Sequence, residues 1–295
     1  MAIKGLKIVG ETINASVPKV ARLFEERNLD GIVELAKFQE KMGAEYIDVN
    51  IGTREPVFMA EMVKIIQEQV STPLSIDSPD MKVIRAGLEA YNPARAHRKI
   101  PLVNSIAETR LEMFDLYTIQ PFRAILIASE RKEDGGAQPN KTAEEVLETA
   151  RRLAERAKRS YPIGNDDLII DPGIAPVGAD SEGITKMVLG ALRLIRNDPG
   201  LGGVHFCVGL SNFGTMLPAK RADGTPVKLP LENAFLSLAV PLGLDYIIGN
   251  VAKDYRFLPA ADPAYRALVE AMDAGGFESL MRIRKFYQGE PEPGR

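Results

Sequence analysis

Short apolar runs along this chain end repeatedly in carboxylates and carboxamides. Glu11 and Asn14 follow the first run, Asp48 and Asn50 close the second, Asp77 the third and Asn104 the fourth. Asp171 closes the sixth with Gly173 two residues on, Ser211 and Asn212 follow the seventh, and Asn250 follows the eighth. Asp, Asn and Ser at such positions also cap helices and set turns, and any one of them alone would be read that way. So many strands ending in Asp or Asn point instead to a shared polar pocket. A carboxylate accepts two parallel N–H bonds from an amino-pyrimidinone edge, and a carboxamide satisfies an edge that mixes donors and acceptors. The pocket therefore suits a flat, neutral heterocycle with several N–H groups and a carbonyl.

Other chemistries find little support. His97 and His205 have no partner spacing, and there is no His-Glu-x-x-His and no cysteine pair, so no metal site is expected. His205 and Cys207 alternate with Val204 and Phe206 on one strand and read as packing residues. Gly5 and Gly10 have phosphate-loop spacing, but Glu11 stands where that loop needs lysine. No G-x-G-x-x-G follows a strand, so a dinucleotide site is not expected.

The elements that must carry these residues are eight β-type runs: LKIVG (6–10), YIDVN (46–50), PLSID (73–77), PLVNS (101–105), RAILIA (123–128), DLIID (167–171), VHFCVG (204–209) and LDYIIG (244–249). Such short, Ile/Val/Leu-rich runs read as strands buried on both faces. Helical patterns cover 29–41, 57–70, 142–161, 183–197, 231–241 and 263–286. A further helix should open at Ser78-Pro79, and Glu148/Arg152 and Glu155/Arg159 have the favourable i,i+4 order. Eight strand–helix alternations without a linker predict an α/β fold: one (β/α)8 TIM barrel spanning 1–295, with 286–295 a frayed tail. A doubly wound sheet is the alternative. The segments 132–141 and 213–230 are expected to be long loops on the catalytic face.

Composition bounds the partners. The 295 residues are 45% hydrophobic and carry a net charge of −3, enough for a large core and poorly suited to nucleic acid. No run approaches the roughly 20 apolar residues of a membrane span. The opening MAIKGLKIVGETIN lacks the organisation of a secretory leader, and Cys207 is the single cysteine, so a cytoplasmic protein is expected.

The motifs GETIN (10–14), AEYIDVNIG (44–52), LSIDSP (74–79), LVNSIA (102–107), IIDPGIAP (169–176) and GLSNFG (209–214) resemble the pterin-binding barrel family. They are similar above all to methyltetrahydrofolate:corrinoid methyltransferases and to the folate-binding barrel of cobalamin-dependent methionine synthase. The resemblance implies that Asp77, Asn104 and Asp171 hold the pterin ring. Asp48, Asn50, Glu11, Asn14, Gly173 and Ser211 would line the same mouth, and Asn212 would lie near N5. It further implies transfer of a methyl group between N5 of tetrahydrofolate and the cobalt of a corrinoid, in either direction, and a homodimer. The B12-binding motif Asp-x-His-x-x-Gly is absent, and the barrel uses up the sequence, so the corrinoid is expected on a separate protein.

The chain departs from the family in the loop after the seventh strand, which reads FGTMLPAKRADGTPVKLP. Lys220 and Arg221 are candidates for the arginine usual there, and Phe213 and Met216 for contacts with the corrin face or for packing. Dihydropteroate synthase, on the same barrel, is a second reading, weakened by Gly249-Asn250-Val251 where those enzymes carry Arg-x-His. A non-catalytic folate-binding scaffold is a third.

Overall fold

A computed structural model describes residues 3–288. Its strands are β1 (Lys7–Asn14), β2 (Tyr46–Asn50), β3 (Leu74–Asp77), β4 (Leu102–Ile106), β5 (Arg123–Ile127), β6 (Glu130–Glu133), β7 (Gly136–Pro139), β8 (Leu168–Asp171), β9 (His205–Gly209) and β10 (Tyr246–Gly249). Eight of them close into a barrel in the order β1-β10-β9-β8-β5-β4-β3-β2, with every pairing parallel. The helices are α1 (Pro18–Glu25), α2 (Leu29–Lys41), α3 (Pro56–Gln67), α4 (Met81–Ala90), α5 (Ala143–Ser160), α6 (Ile184–Arg196), α7 (Leu210–Phe213), α8 (Lys228–Ala239), α9 (Pro263–Ala274) and α10 (Gly276–Gln288). The (β/α)8 expectation is borne out, with a 3-10 helix (Glu108–Thr118) in place of an α-helix between β4 and β5.

Two cores hold the barrel. The larger lies between sheet and helices and takes the outward side chains Ile47, Val49, Ile76, Val103 and Ile170. The smaller fills the barrel with Val9, Tyr46, Leu102, Ile125, Ile169, Cys207 and Tyr246. Strand side chains alternate, so two residues beyond each inward apolar group lies another inward position. Tyr46 is followed by Asp48 and Asn50, Leu102 by Asn104, Ile169 by Asp171 and Cys207 by Gly209. The apolar layer thus seals the lower barrel, and the polar layer lands at the C-terminal mouth.

In β1 the register shifts between Gly10 and Ile13, so one residue is extra relative to β2. Ile13 turns out into the helix-side core. Glu11 and Asn14, three residues apart, can then both face the mouth.

Several local expectations are corrected. The helix expected at Ser78-Pro79 begins at Met81, because Asp80 caps it by accepting the Lys82 N–H at 2.8 Å. Ser78 Oγ accepts from Asp80 N at 3.1 Å and sets the preceding turn. Arg152 leaves Glu148 for the more buried Glu108 at 2.6 Å. The 132–141 segment is largely the β6–β7 hairpin rather than a loop. The helix expected over 263–286 is two, α9 and α10, broken at Gly275, whose φ of +66° a right-handed helix does not permit. Phe286 to Gln288 belong to α10, with Phe286 buried, so they are no tail; 289–295 lie outside the described residues. His205 does not simply pack: its ring nitrogens meet Asp245 at 2.5 Å and Asp166 at 3.2 Å at the N-terminal end of β9.

Candidate functional site

A cavity of about 620 Å³ opens at the C-terminal mouth of the barrel. Glu11, Asn14, Asp48, Asp77, Asn104, Ser211 and Asn212 all line it. Asn50 stands one bond behind, its Nδ2 donating to Asp77 Oδ2 at 2.8 Å while its Oδ1 accepts from Gly52 N. Asp171 and Gly173 are not on its walls. Asp171 sits at the end of β8, accepting the Gly173 N–H at 2.8 Å.

The floor is a bonded set of acids and amides. Asp48 is buried, with Oδ1 accepting from Ser75 Oγ at 2.6 Å and Asn104 Nδ2 at 3.3 Å. Burial first, and then the charge of Asp77, push the Asp48 carboxyl well above its ordinary range. Asp77 is also raised by burial, but the Asn50 amide, a hydrogen bond with Asp48 and the nearby Arg110 guanidinium favour its charged form. Of the two, Asp48 is thus the more readily protonated and Asp77 the better placed to present a carboxylate. Arg110 is fixed beside it by donating to the Ser105 carbonyl and Oγ, both at 3.0 Å. Burial pushes Asp171 up to about 6, opposed by the Gly173 N–H.

The opposite wall carries Asn212 on the one-turn helix α7. Its amide nitrogen lies 2.9 Å from the point a Cβ on Gly209 would occupy, so the glycine lets the amide fold back over the end of β9. Ser211 Oγ donates to Glu11 Oε2 at 2.8 Å, joining this wall to β1. Behind it, Lys253 Nζ donates to both oxygens of the buried Glu232, at 2.7 and 2.8 Å.

The loop residues divide. Phe213 is fully buried against Phe235, ring centroids 5.1 Å apart, so it packs and faces no partner. Met216 is 79% exposed with φ of +68°. Arg221 is engaged away from the cavity: it donates to the Phe286 carbonyl at 3.0 Å and lies over that ring.

The profile described as pterin binding enzyme matches residues 10–250. The chain belongs to the pterin-binding enzyme family. The resemblance read from the strand-end motifs is thus borne out at the level of the family. This pterin-binding enzyme is similar to the methylcorrinoid:tetrahydrofolate methyltransferase of Eubacterium limosum, 29% identical over 249 residues, 81% of this chain and 82% of that protein. The dihydropteroate synthase of Thermus thermophilus in complex with 6HMPPP superposes with a TM-score of 0.56 at 18% identity, over 91% of this chain and 93% of that one. The dihydropteroate synthase of Vibrio fischeri gives a TM-score of 0.56 at 14% identity, over 82% and 86%. At such identities the structural likeness establishes the pterin-binding enzyme's barrel and leaves its reaction to the site. No helix among its described residues is long and apolar enough to cross a membrane.

Lys253, Glu232 and Arg110 were not singled out from the sequence of this pterin-binding enzyme. Glu232 and Lys253 lie 21 residues apart with no motif between them, and Arg110 sits in a 3-10 segment with no strand-end signal.

Proposed function

We propose that this enzyme moves a methyl group between N5 of tetrahydrofolate and the cobalt of a corrinoid carried by a separate protein. The observation that supports this most is the pairing of two walls in one cavity: the acid–amide floor around Asp77 and the non-titrating amide of Asn212. The similarity to a methylcorrinoid:tetrahydrofolate methyltransferase agrees with it. In this reading Asp77 accepts the N–H pair of the pterin edge, Asn104 and Asp48 complete that edge, and Asp171, set back from the walls at the end of β8, acts on the ring from behind them. Asn212 donates to N5 and stabilises charge that changes as the C–N bond breaks or forms. The open side of the cavity faces solvent, where the exposed Met216 meets the corrinoid protein. We further propose a cytoplasmic homodimer.

The reaction balances in both directions. When the N5 lone pair attacks the methyl of methyl–Co(III), the carbon–cobalt pair stays on cobalt as Co(I), and N5 releases its proton. In reverse, Co(I) attacks the methyl, the carbon–nitrogen pair returns to N5, and N5 takes up a proton. The barrel supplies orientation and fixed dipoles, while cobalt is the leaving group in the first direction and the nucleophile in the second.

Mixing the protein with tetrahydrofolate and free methylcob(III)alamin tests this by loss of the methyl–cobalt absorbance. Exchange is the expected result. Tetrahydrofolate binding with no exchange, either here or with a corrinoid protein, would leave the synthase and scaffold readings. Gly209→Ala offers a finer check: its Cβ would displace the Asn212 amide, and turnover should fall about ten- to a hundredfold. The φ of Gly209 is an ordinary −74°, so the thermal midpoint should hold. A fall in stability without the fall in turnover would contradict the role given to Asn212.

A further inference from the structure

We propose that Glu11 is the group that exchanges the proton with N5, with Ser211 as its relay and the Glu232–Lys253 ion pair as a positioning element. This rests on the methyl-transfer reading and goes beyond it, because that reaction releases or consumes one proton at N5 and Asn212 cannot titrate.

The geometry points to Glu11 for three reasons. It lines the same cavity as Asn212, at the end of β1. Its Oε2 accepts from Ser211 Oγ at 2.8 Å, and Ser211 lines the same cavity as Asn212, so a proton can pass along one hydroxyl to the wall that faces N5. The cation that favours its charged form is already committed: Lys253 donates two short bonds to Glu232. Glu232 is 1% exposed, so its charge stays matched to Lys253 and Glu11 is left without a dedicated counter-ion.

The charged and titratable groups around Glu11 can be named from each element. Lys253, beyond β10, favours its charged form, and Glu232, on α8, opposes it. Tyr255 lies close by after β10, Asp48 sits on the neighbouring strand β2 and Asp77 on β3, and Lys19 of α1 lines the same cavity. Burial is the largest influence and raises Glu11 above the ordinary carboxylate range, toward the neutral pH at which an acid–base group works best. The other acids at the mouth have different work. Asp48 and Asp77 are bonded to each other and to the amides.

The steps follow. As N5 attacks the methyl group, the Ser211 hydroxyl takes the N5 proton and passes its own to the Glu11 carboxylate. In the opposite direction, neutral Glu11 returns that proton while the carbon–nitrogen pair collapses onto N5. Methylation of tetrahydrofolate therefore needs the carboxylate and slows as pH falls through the pKa of Glu11. Demethylation needs the acid and slows as pH rises through it.

The test uses the full chain, tetrahydrofolate and free methylcob(III)alamin, with transfer rates across pH. Glu11→Gln should bind tetrahydrofolate within about threefold of wild type, transfer methyl about a hundredfold more slowly and lose the acid limb of the profile. Glu232→Gln releases Lys253 to act on Glu11, so the limb should move to lower pH, which a merely structural role would not produce. If Glu11→Gln fails to fold, Ser211→Ala carries the test, with the same slowing and a weakened limb expected. A wild-type limb and rate in Glu11→Gln, or an unmoved limb in Glu232→Gln, overturns this inference alone. A wild-type protein that exchanges no methyl group overturns the methyl-transfer reading and this inference with it.

Discussion

Asn212→Ala is expected to lower methyl transfer about 100- to 1,000-fold while tetrahydrofolate binding changes little, the pattern of a donor that acts only in the transition state. The side chain is exposed on a four-residue helix, so its removal opens no core cavity, and a stability change within about 0.5 kcal/mol is expected. Its amide nitrogen lies over Gly209, at the end of β9, where a side chain at that position would displace it. Asn212→Asp should be as slow, because a carboxylate cannot donate there. The residual rate of Asn212→Ala should keep the pH limb of the wild type, since the group that titrates lies elsewhere. Single-turnover rates beside calorimetric binding would check this. Transfer at the wild-type rate in Asn212→Ala would remove the N5 role.

The part of this site that could be read from sequence is the part set by strand periodicity. Barrel strands are apolar on both faces, so their runs stand out, and the polar residues that end them stand out against the apolar background. Asp48, Asp77, Asn104 and Asn212 were found in this way, and one cavity contains all four. Asn50 and Asp171 share the same signal, yet one supports Asp77 from behind and the other sits off the walls, because a strand end fixes height in the barrel and not the direction of the opening. Phe213 shows the limit at helices. It follows Asn212 directly, but successive helical residues point about 100° apart, so the amide faces the mouth while the ring enters the core against Phe235. The β6–β7 hairpin carried no apolar alternation, since much of it faces solvent, and only its glycine-containing turn hinted at it. The Glu232–Lys253 pair was out of reach for a simpler reason: it joins α8 to the segment after β10, and only the closed barrel brings them together.

Asp171→Asn should stabilise the protein and weaken folate binding at once. The Asp171 pKa is pushed up to about 6 by burial, with the Gly173 N–H the opposing influence. Its unfolded value is near 3.9, so the folded state prefers the neutral acid. The stability this gives is complete below pH ~4 and is lost as pH rises to about 6, where the buried carboxylate ionises. At pH 8 the ionised group costs the fold about 1–3 kcal/mol, the range allowing for solvent near the cavity mouth. Asparagine keeps an acceptor for Gly173 N–H and carries no charge. Its thermal midpoint should therefore rise by several degrees at pH 8 and match the wild type at pH 4. Binding should move the other way. A carboxylate accepts strongly from a pterin N–H edge, whereas an amide offers a single oxygen, so affinity for tetrahydrofolate at pH 8 should fall about tenfold or more. The wild type should lose the same affinity as pH falls below about 6 and Asp171 takes up its proton. Calorimetric unfolding and folate titration at the two pH values separate the effects. Unaltered binding would show that Asp171 only shapes the turn at Gly173, and a lower midpoint at pH 8 would show that its charge is held by a partner outside the bonds described above. Together the two expected shifts describe a residue kept ionised at the expense of the fold, and binding the pterin ring is the work that would justify that charge.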